Sequence, residues 1–200
     1  MHSVEKEFEC RYFLDKEKYF EIASNIFRYH QEMKIISQTN QYFDTDDLKL
    51  REKHIALRIR IIPHRAAVLT LKYRNEEDKG DIEVSQNLSY FQHRALVKHS
   101  HFPKGIVAQK LKELGFALSD VKYQCSLQTK RMQIDKENYN YCIDENHYND
   151  ITDYNIEVEA DSIENAEKIM KELSEKFDFK IEQKCPGKST RALLSIKKDQ

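Results

Sequence analysis

Residues that interrupt regular structure are scarce in this chain: four glycines and three prolines in 200 residues, with no tryptophan. With no linker or low-complexity tract either, a single domain over residues 1–200 is expected. The four cysteines, Cys10, Cys125, Cys142 and Cys185, are widely separated and form no CxxC pair. No secretory signal is read at Met1–Lys6, so reduced thiols and a cytoplasmic location are expected. No apolar run approaches the roughly 20 residues that a membrane span requires. An excess of one charge is missing too, since 33 basic against 34 acidic residues leave a net charge of −1. Nothing global then attracts nucleic acid or an anionic membrane, and any anion site has to be local. The glycines are also too dispersed to build a Walker-A phosphate loop.

What the chain has is charge in an ordered pattern. Charged residues make up 34% and hydrophobic residues 40% of the sequence, enough apolar material to fold. In Glu7-Phe8-Glu9-Cys10-Arg11, Leu57-Arg58-Ile59-Arg60-Ile61 and Asn155-Ile156-Glu157-Val158-Glu159, charges alternate with apolar residues. Successive side chains of a strand point to opposite faces, so each stretch reads as a ribbon with one greasy and one charged side.

Further strands are expected at roughly 33–44, 54–62, 66–74, 80–88, 121–135, 138–146 and 152–160, giving about eight, mainly antiparallel. Asp15 can cap a helix carrying Tyr19, Phe20, Ala23, Ile26 and Phe27 at helical spacing. Asp161 and Glu164 have capping-box-like spacing before Ile163, Ala166, Ile169, Met170, Leu173 and Phe177. Residues 89–118, bounded by Gly105 and Gly115, read as a helical insertion, and Thr190 to Lys197 as a terminal helix.

Splitting each strand by parity collects the charges. Glu5, Glu7, Glu9 and Arg11 share one face of the first strand; Arg58 with Arg60, Lys72 with Arg74, Glu83, Arg131, Asp144, and Glu157 with Glu159 do so on later ones. That face holds seven carboxylates and six cations. The amphipathic helices must bury their apolar sides on the greasy face, leaving the charged one helix-free. An open sheet could expose that face to solvent, whereas eight strands closing into a barrel would turn it inward. Unpaired buried charge is expensive, so such a lumen requires water, metal or a charged ligand.

Clustered carboxylates suit Mg²⁺ or Mn²⁺, hard cations that take oxygen ligands and bridge to phosphates. Glu7, Glu9, Glu157 and Glu159 form the best set. The planar arginine fork matches phosphate, so Arg58, Arg60 and Arg131, with Lys72 and Arg11, could grip a polyphosphate.

These residues resemble the CYTH family, the triphosphate tunnel metalloenzymes. Its amino-terminal Glu-x-Glu-x-Lys signature is met by Glu7-Phe8-Glu9-Cys10-Arg11, and its Tyr-Phe/Tyr-Asp-Thr element by Tyr42-Phe43-Asp44-Thr45. Arg58-Ile59-Arg60, Lys72, Glu83, Arg131, Asp144, Glu157-Val158-Glu159 and Lys188-Ser189-Thr190-Arg191 follow in the family's order. The resemblance implies an α+β fold with a closed eight-stranded antiparallel tunnel and helices packed outside. It implies Mg²⁺ or Mn²⁺ on the acidic residues, Asp144 included, and triphosphate on the basic ones, Lys188 included. Glu83, Glu5 and Arg74 complete the expected tunnel lining. Catalytic roles fall to Lys72, as the group that orients a water, and to Arg11, which keeps the charge of the signature lysine but cannot readily shuttle a proton.

Other features read as ordinary. His99 and His101 fit a polar loop better than a metal site, Cys142 fits a small buried hydrophobe, and Tyr42 and Phe43 fit packing. Asp44 can cap or turn the segment starting at Thr45. Metal-dependent triphosphate hydrolysis is the leading function; adenylate cyclisation and a non-catalytic triphosphate sensor are the alternatives. A small-molecule triphosphate is the expected partner, without nucleic acid or membrane, and a homodimer stays open.

Overall fold

A computed structural model of the chain describes residues 2–74 and 80–196. The strands are β1 (His2–Leu14), β2 (Lys34–Asp44), β3 (Ile55–Ile61), β4 (Ala67–Arg74), β5 (Asp81–Leu88), β6 (Lys122–Asp135), β7 (Tyr139–Tyr148) and β8 (Ile151–Ala160). The helices are α1 (Lys16–Tyr29), α2 (Lys49–Glu52), α3 (Tyr90–His99), α4 (Ile106–Glu113), α5 (Ile163–Phe177) and α6 (Lys188–Leu194).

The eight strands pair antiparallel in the order β1-β5-β4-β3-β2-β6-β7-β8 and close on themselves. Closure turns on the length of β1. Its first half, His2 to Glu7, pairs with β5, and its second half, Phe8 to Leu14, pairs with β8. A closed barrel leaves no free edge and sends alternate side chains inward.

The greasy faces point outward, as parity predicts. Outside β1, β6, β7 and β8, Ile134, Ile143, Ile156 and Val158 pack with residues of α1 and α5. Outside β3, β4 and β5, Leu57, Ile59, Leu69 and Leu71 pack with Leu96 of α3 and Val107 and Leu111 of α4. Asp15 caps α1 by accepting from Lys18 N at 2.7 Å. The buried stripe of α1 is Tyr19, Ile22 and Ile26, whereas Phe20 and Phe27 are exposed. The spacing of 19, 22 and 26 follows one side of the helix, from which positions 20 and 27 are turned away. The cap of α5 is Ser162, one residue beyond Asp161; Ser162 Oγ accepts from Asn165 N at 3.2 Å while Asp161 Oδ1 accepts from the Asn165 side chain at 2.6 Å.

The insertion is helical. Ser89 and Gln92 close a reciprocal capping box at the start of α3. Gly115, at φ +86°, ends α4 in the left-handed region that glycine tolerates, and Phe116 N returns to Leu111 O at 3.0 Å. The terminal helix starts earlier than its sequence suggests, at Lys188, and Lys197 lies outside the described residues. The helix α6 sits at a barrel mouth. Its Ala192 and Leu193 pack against Tyr42, Cys125, Leu127 and Tyr148, and its Arg191 donates to Asn155 Oδ1 at 3.1 Å. Tyr42 lies opposite Arg58 in the β2–β3 ladder and Asn155 opposite Asp144 in the β7–β8 ladder, so both face the lumen.

Candidate active site in the barrel lumen

The inward-facing side chains enclose a cavity of about 400 Å³. Its walls include Glu7, Glu9 and Arg11 from β1, Arg58 and Arg60 from β3, Lys72 and Arg74 from β4, Arg131 from β6, Glu157 and Glu159 from β8, and Lys188 from α6. Register brings residues distant in sequence together. Glu9 lies opposite Glu159 and Arg11 opposite Glu157; Arg131 lies opposite Asp144 and Lys72 opposite Glu83. Directly opposed residues of an antiparallel pair share a face, so each match places both groups in the lumen.

Most of the charges are paired. Lys72 Nζ donates to Glu7 Oε2 at 2.9 Å and to Glu9 Oε1 at 2.7 Å, and stands 3.4 Å from Asp81 Oδ2. Arg11 Nε donates to Glu157 Oε2 at 3.2 Å, and its Nη2 pairs with Glu9. Arg131 forks onto Asp144 at 2.8 and 2.9 Å. Lys188 Nζ lies 2.8 Å from both Asp144 Oδ2 and Glu157 Oε2. Arg58 Nη2 donates to Glu83 Oε2 at 3.0 Å.

Glu159 and Arg60, of opposite sign, stand outside this pairing. Glu159 accepts from Asn140 Nδ2 at 3.3 Å, and among the described residues no cation pairs with it. Burial, then Glu7 and Glu9, push its carboxyl above the usual range. Arg60 donates to Asn40 Oδ1 at 3.3 Å and has no carboxylate partner among the described residues. Burial, then the nearby Arg58 and Arg131, pull its guanidinium down to about 10. Glu9 behaves in the opposite way: burial pushes it up, but Arg11 and Lys72 outweigh that and hold it at about 2. Lys72 loses to burial and regains more from Glu9 and Glu7, ending above its usual value. It stays charged and cannot act as a base near neutral pH.

The expected tunnel residues divide by depth. Glu5 is exposed and does not line the cavity, although it sits opposite Glu83 in the β1–β5 ladder. Its position near the free start of the long first strand carries it outside the enclosed lumen. Glu83 and Asp144 lie behind the wall and act through Arg58 and Arg131. Asp144, Glu157 and Cys142 bring ligand atoms within 4.8 Å of one another, a group that could hold a metal ion. Burial raises the Cys142 thiol, keeping it protonated. Arg74 is exposed at the rim but lines the cavity.

Sequence reasoning passed over Asp81, Tyr42, Arg51 and His54, which also line the cavity. Asp81 shares the parity of Glu83 and was legible on that ground. Tyr42, read as a packing residue, is buried with its hydroxyl turned to the lumen and without a hydrogen-bond partner among the described residues. Arg51 and His54 lie outside the strands, where no alternation signals them.

Known proteins share this architecture. The CYTH domain matches residues 5–184. The chain belongs to the CYTH domain family. Bacillus subtilis (strain 168) YjbK, a candidate triphosphatase by name, is 33% identical over 177 residues, covering 88% of this chain and 89% of YjbK. The crystal structure of a candidate adenylate cyclase from Bacillus halodurans aligns with TM-score 0.83 at 32% identity, over 94% of this CYTH protein and 97% of that chain. HpAC1 of Hippeastrum, a candidate adenylyl cyclase described as having a dominant triphosphatase activity, shares the fold with TM-score 0.72 at 20% identity, over 95% and 94% of the two chains. Among the described residues of this CYTH chain, no helix is long and apolar enough to cross a membrane.

Proposed function

We propose that this CYTH protein hydrolyses a triphosphate inside its barrel with the help of a divalent cation. The observation that carries the reading is the pair of uncompensated groups in one cavity, Glu159 and Arg60. A metal–phosphate complex neutralises both at once, whereas an ion of either sign alone satisfies only one. The donor set fits such a cation: Glu7, Glu9, Glu157 and Glu159 offer carboxylate oxygens, with Asp144 behind them, the ligands that Mg²⁺ and Mn²⁺ prefer. A bound divalent cation would polarise a phosphoryl oxygen and offset charge on the transferring group.

The remaining work falls to side chains. Arg60, Arg58 and Arg131 present guanidinium groups to phosphate oxygens, with Lys188 and Arg11 beside Arg131, all three meeting Glu157. Lys72, an ammonium with three donors, is the group that can orient an attacking water while remaining charged. Arg11 contributes charge to the cradle and holds Glu9 and Glu157 in place. These assignments also account for Glu9 and Glu157 staying ionised beside the cations that buttress them.

The test is phosphate release from tripolyphosphate by the purified protein, with Mg²⁺ or Mn²⁺ and with EDTA. Turnover that requires metal and disappears in Glu7→Gln and Glu159→Gln supports the reading; metal-independent or unaltered turnover overturns it. Adenylate cyclisation is the second reading, favoured by the candidate adenylate cyclase at 32% identity. It predicts cyclic AMP and pyrophosphate from ATP. Tight binding without turnover under any metal points instead to a sensor.

A further inference from the structure

The cationic row of β3 continues past the strand. Arg60 and Arg58 face the lumen, and the next residue of that parity toward the mouth is Ala56, opposite Lys72 in the β3–β4 ladder. A small side chain thus stands where the row calls for a third cation. Arg51, from the α2 segment just before β3, lines the cavity at this point together with Ala56, His54 and Arg74. Its Nε is buried and has no hydrogen-bond partner among the described residues. Among those residues no carboxylate forms an ion pair with it.

The backbone around Arg51 is built to hold it there. The fully buried carboxylate of Asp44 accepts from Leu50 N at 2.9 Å, from Arg51 N at 3.0 Å and from Thr45 N at 2.7 Å. The Leu50 side chain is sunk in the core beside Leu57 and Leu71. Leu48 and His54, at φ 58° and 56°, bracket α2 in left-handed conformations that bulky side chains adopt only under constraint. A guanidinium fixed at this level, with an unsatisfied buried donor, is suited to an anion and to little else.

We propose that Arg51 is a specificity-determining residue that binds an anionic unit of the substrate at the tunnel mouth, in line with the phosphate cradle. The claim rests on the triphosphatase reading and deepens it. With Arg51, Arg74 and His54 at the rim, a further phosphate gains hydrogen bonds strengthened by opposite charge, a neutral nucleoside gains weaker ones and a cationic group is repelled. The tunnel thereby prefers inorganic polyphosphate to a triphosphate that carries an organic group.

The experiment compares wild type, Arg51→Gln and Arg51→Lys. Phosphate release is measured with tripolyphosphate, ATP and thiamine triphosphate, and tripolyphosphate binding is measured separately by calorimetry without added metal. The expected result for Arg51→Gln is about tenfold weaker tripolyphosphate binding and a KM raised about tenfold, with kcat within about twofold. ATP and thiamine triphosphate should shift less, and Arg51→Lys should recover part of the loss. Because the Arg51 side chain makes no described bond, the glutamine variant should melt with wild type; if it does not, the comparison rests on Arg51→Lys. Unchanged tripolyphosphate affinity, or an equal loss for ATP, overturns the proposal. A wild type that releases no phosphate from any triphosphate overturns the triphosphatase reading instead, and the calorimetry still decides whether Arg51 binds the anion.

Discussion

Arg131 and Asp144 face each other across the β6–β7 ladder and meet through two parallel hydrogen bonds of 2.8 and 2.9 Å, with the Asp144 side chain fully buried. The fork fixes the guanidinium plane, and Lys188 closes on the same carboxylate at 2.8 Å. Arg131 is thus pre-oriented toward the cavity by a residue that does not itself line it.

Removing the carboxylate should leave two buried cations with Glu157 as their remaining shared partner. We expect Asp144→Ala to lower the unfolding free energy by about 3–5 kcal/mol. Chemical denaturation would show it, and an unchanged midpoint would mean that Arg131 and Lys188 find compensation elsewhere.

Acid should unfold the protein in a defined window. Burial raises Glu9, Glu157 and Asp144, but Arg11 and Lys72 outweigh it at Glu9, Lys188, Arg11 and Arg131 at Glu157, and Arg131 and Lys188 at Asp144; Glu9 falls to about 2. In the unfolded chain such groups titrate at about 4. Because the folded values are depressed, their stabilising effect is complete above about pH 5 and is lost as pH falls toward about 2. Denaturation midpoints measured from pH 7 downward should drop through that interval; a flat profile between about pH 5 and 3 would contradict the ion-pair network.

Glu159 belongs to the opposite class, since burial, Glu7 and Glu9 all disfavour its charge. Glu159→Gln should therefore not lower Tm, while it weakens Mn²⁺ binding at least about tenfold. Calorimetric titration with Mn²⁺ beside a melting curve separates the two effects. A destabilised variant with intact metal affinity would show that Glu159 serves the fold.

Arg60 offers the matching experiment on the cationic wall. It is held by one hydrogen bond to Asn40 and crowded by Arg58 and Arg131. Arg60→Gln should leave stability within about 1 kcal/mol and weaken tripolyphosphate binding about tenfold or more. If binding survives, the phosphate lies elsewhere in the lumen.

Much of this arrangement can be read along the chain because strand geometry is a local property. Alternation in Glu7 to Arg11, Leu57 to Ile61 and Asn155 to Glu159 separates charged from apolar faces without knowledge of the partner strand, since the side-chain period is two. Two helix starts are legible to within a residue: Asp15 caps as expected, whereas Ser162 takes the cap from Asp161 because its hydroxyl reaches Asn165 N. The outward side of α1 was less legible, as Phe20 and Phe27 are apolar yet lie off the buried stripe.

By itself, then, the sequence determined the faces: which side chains a strand sends inward, and that the inward set mixes acids and bases. Tertiary structure alone decided which of them meet. Closure joined β1 to both β5 and β8, register set Arg11 against Glu157 and Arg131 against Asp144, and Glu159 and Arg60 were left without ion-pair partners among the described residues. It also brought Arg51 to the mouth and α6 across the lumen-facing Tyr42 and Tyr148. No period in the sequence could announce these contacts, because they depend on loop-borne groups and on pairings between residues as distant in the chain as Phe8 and Ala160.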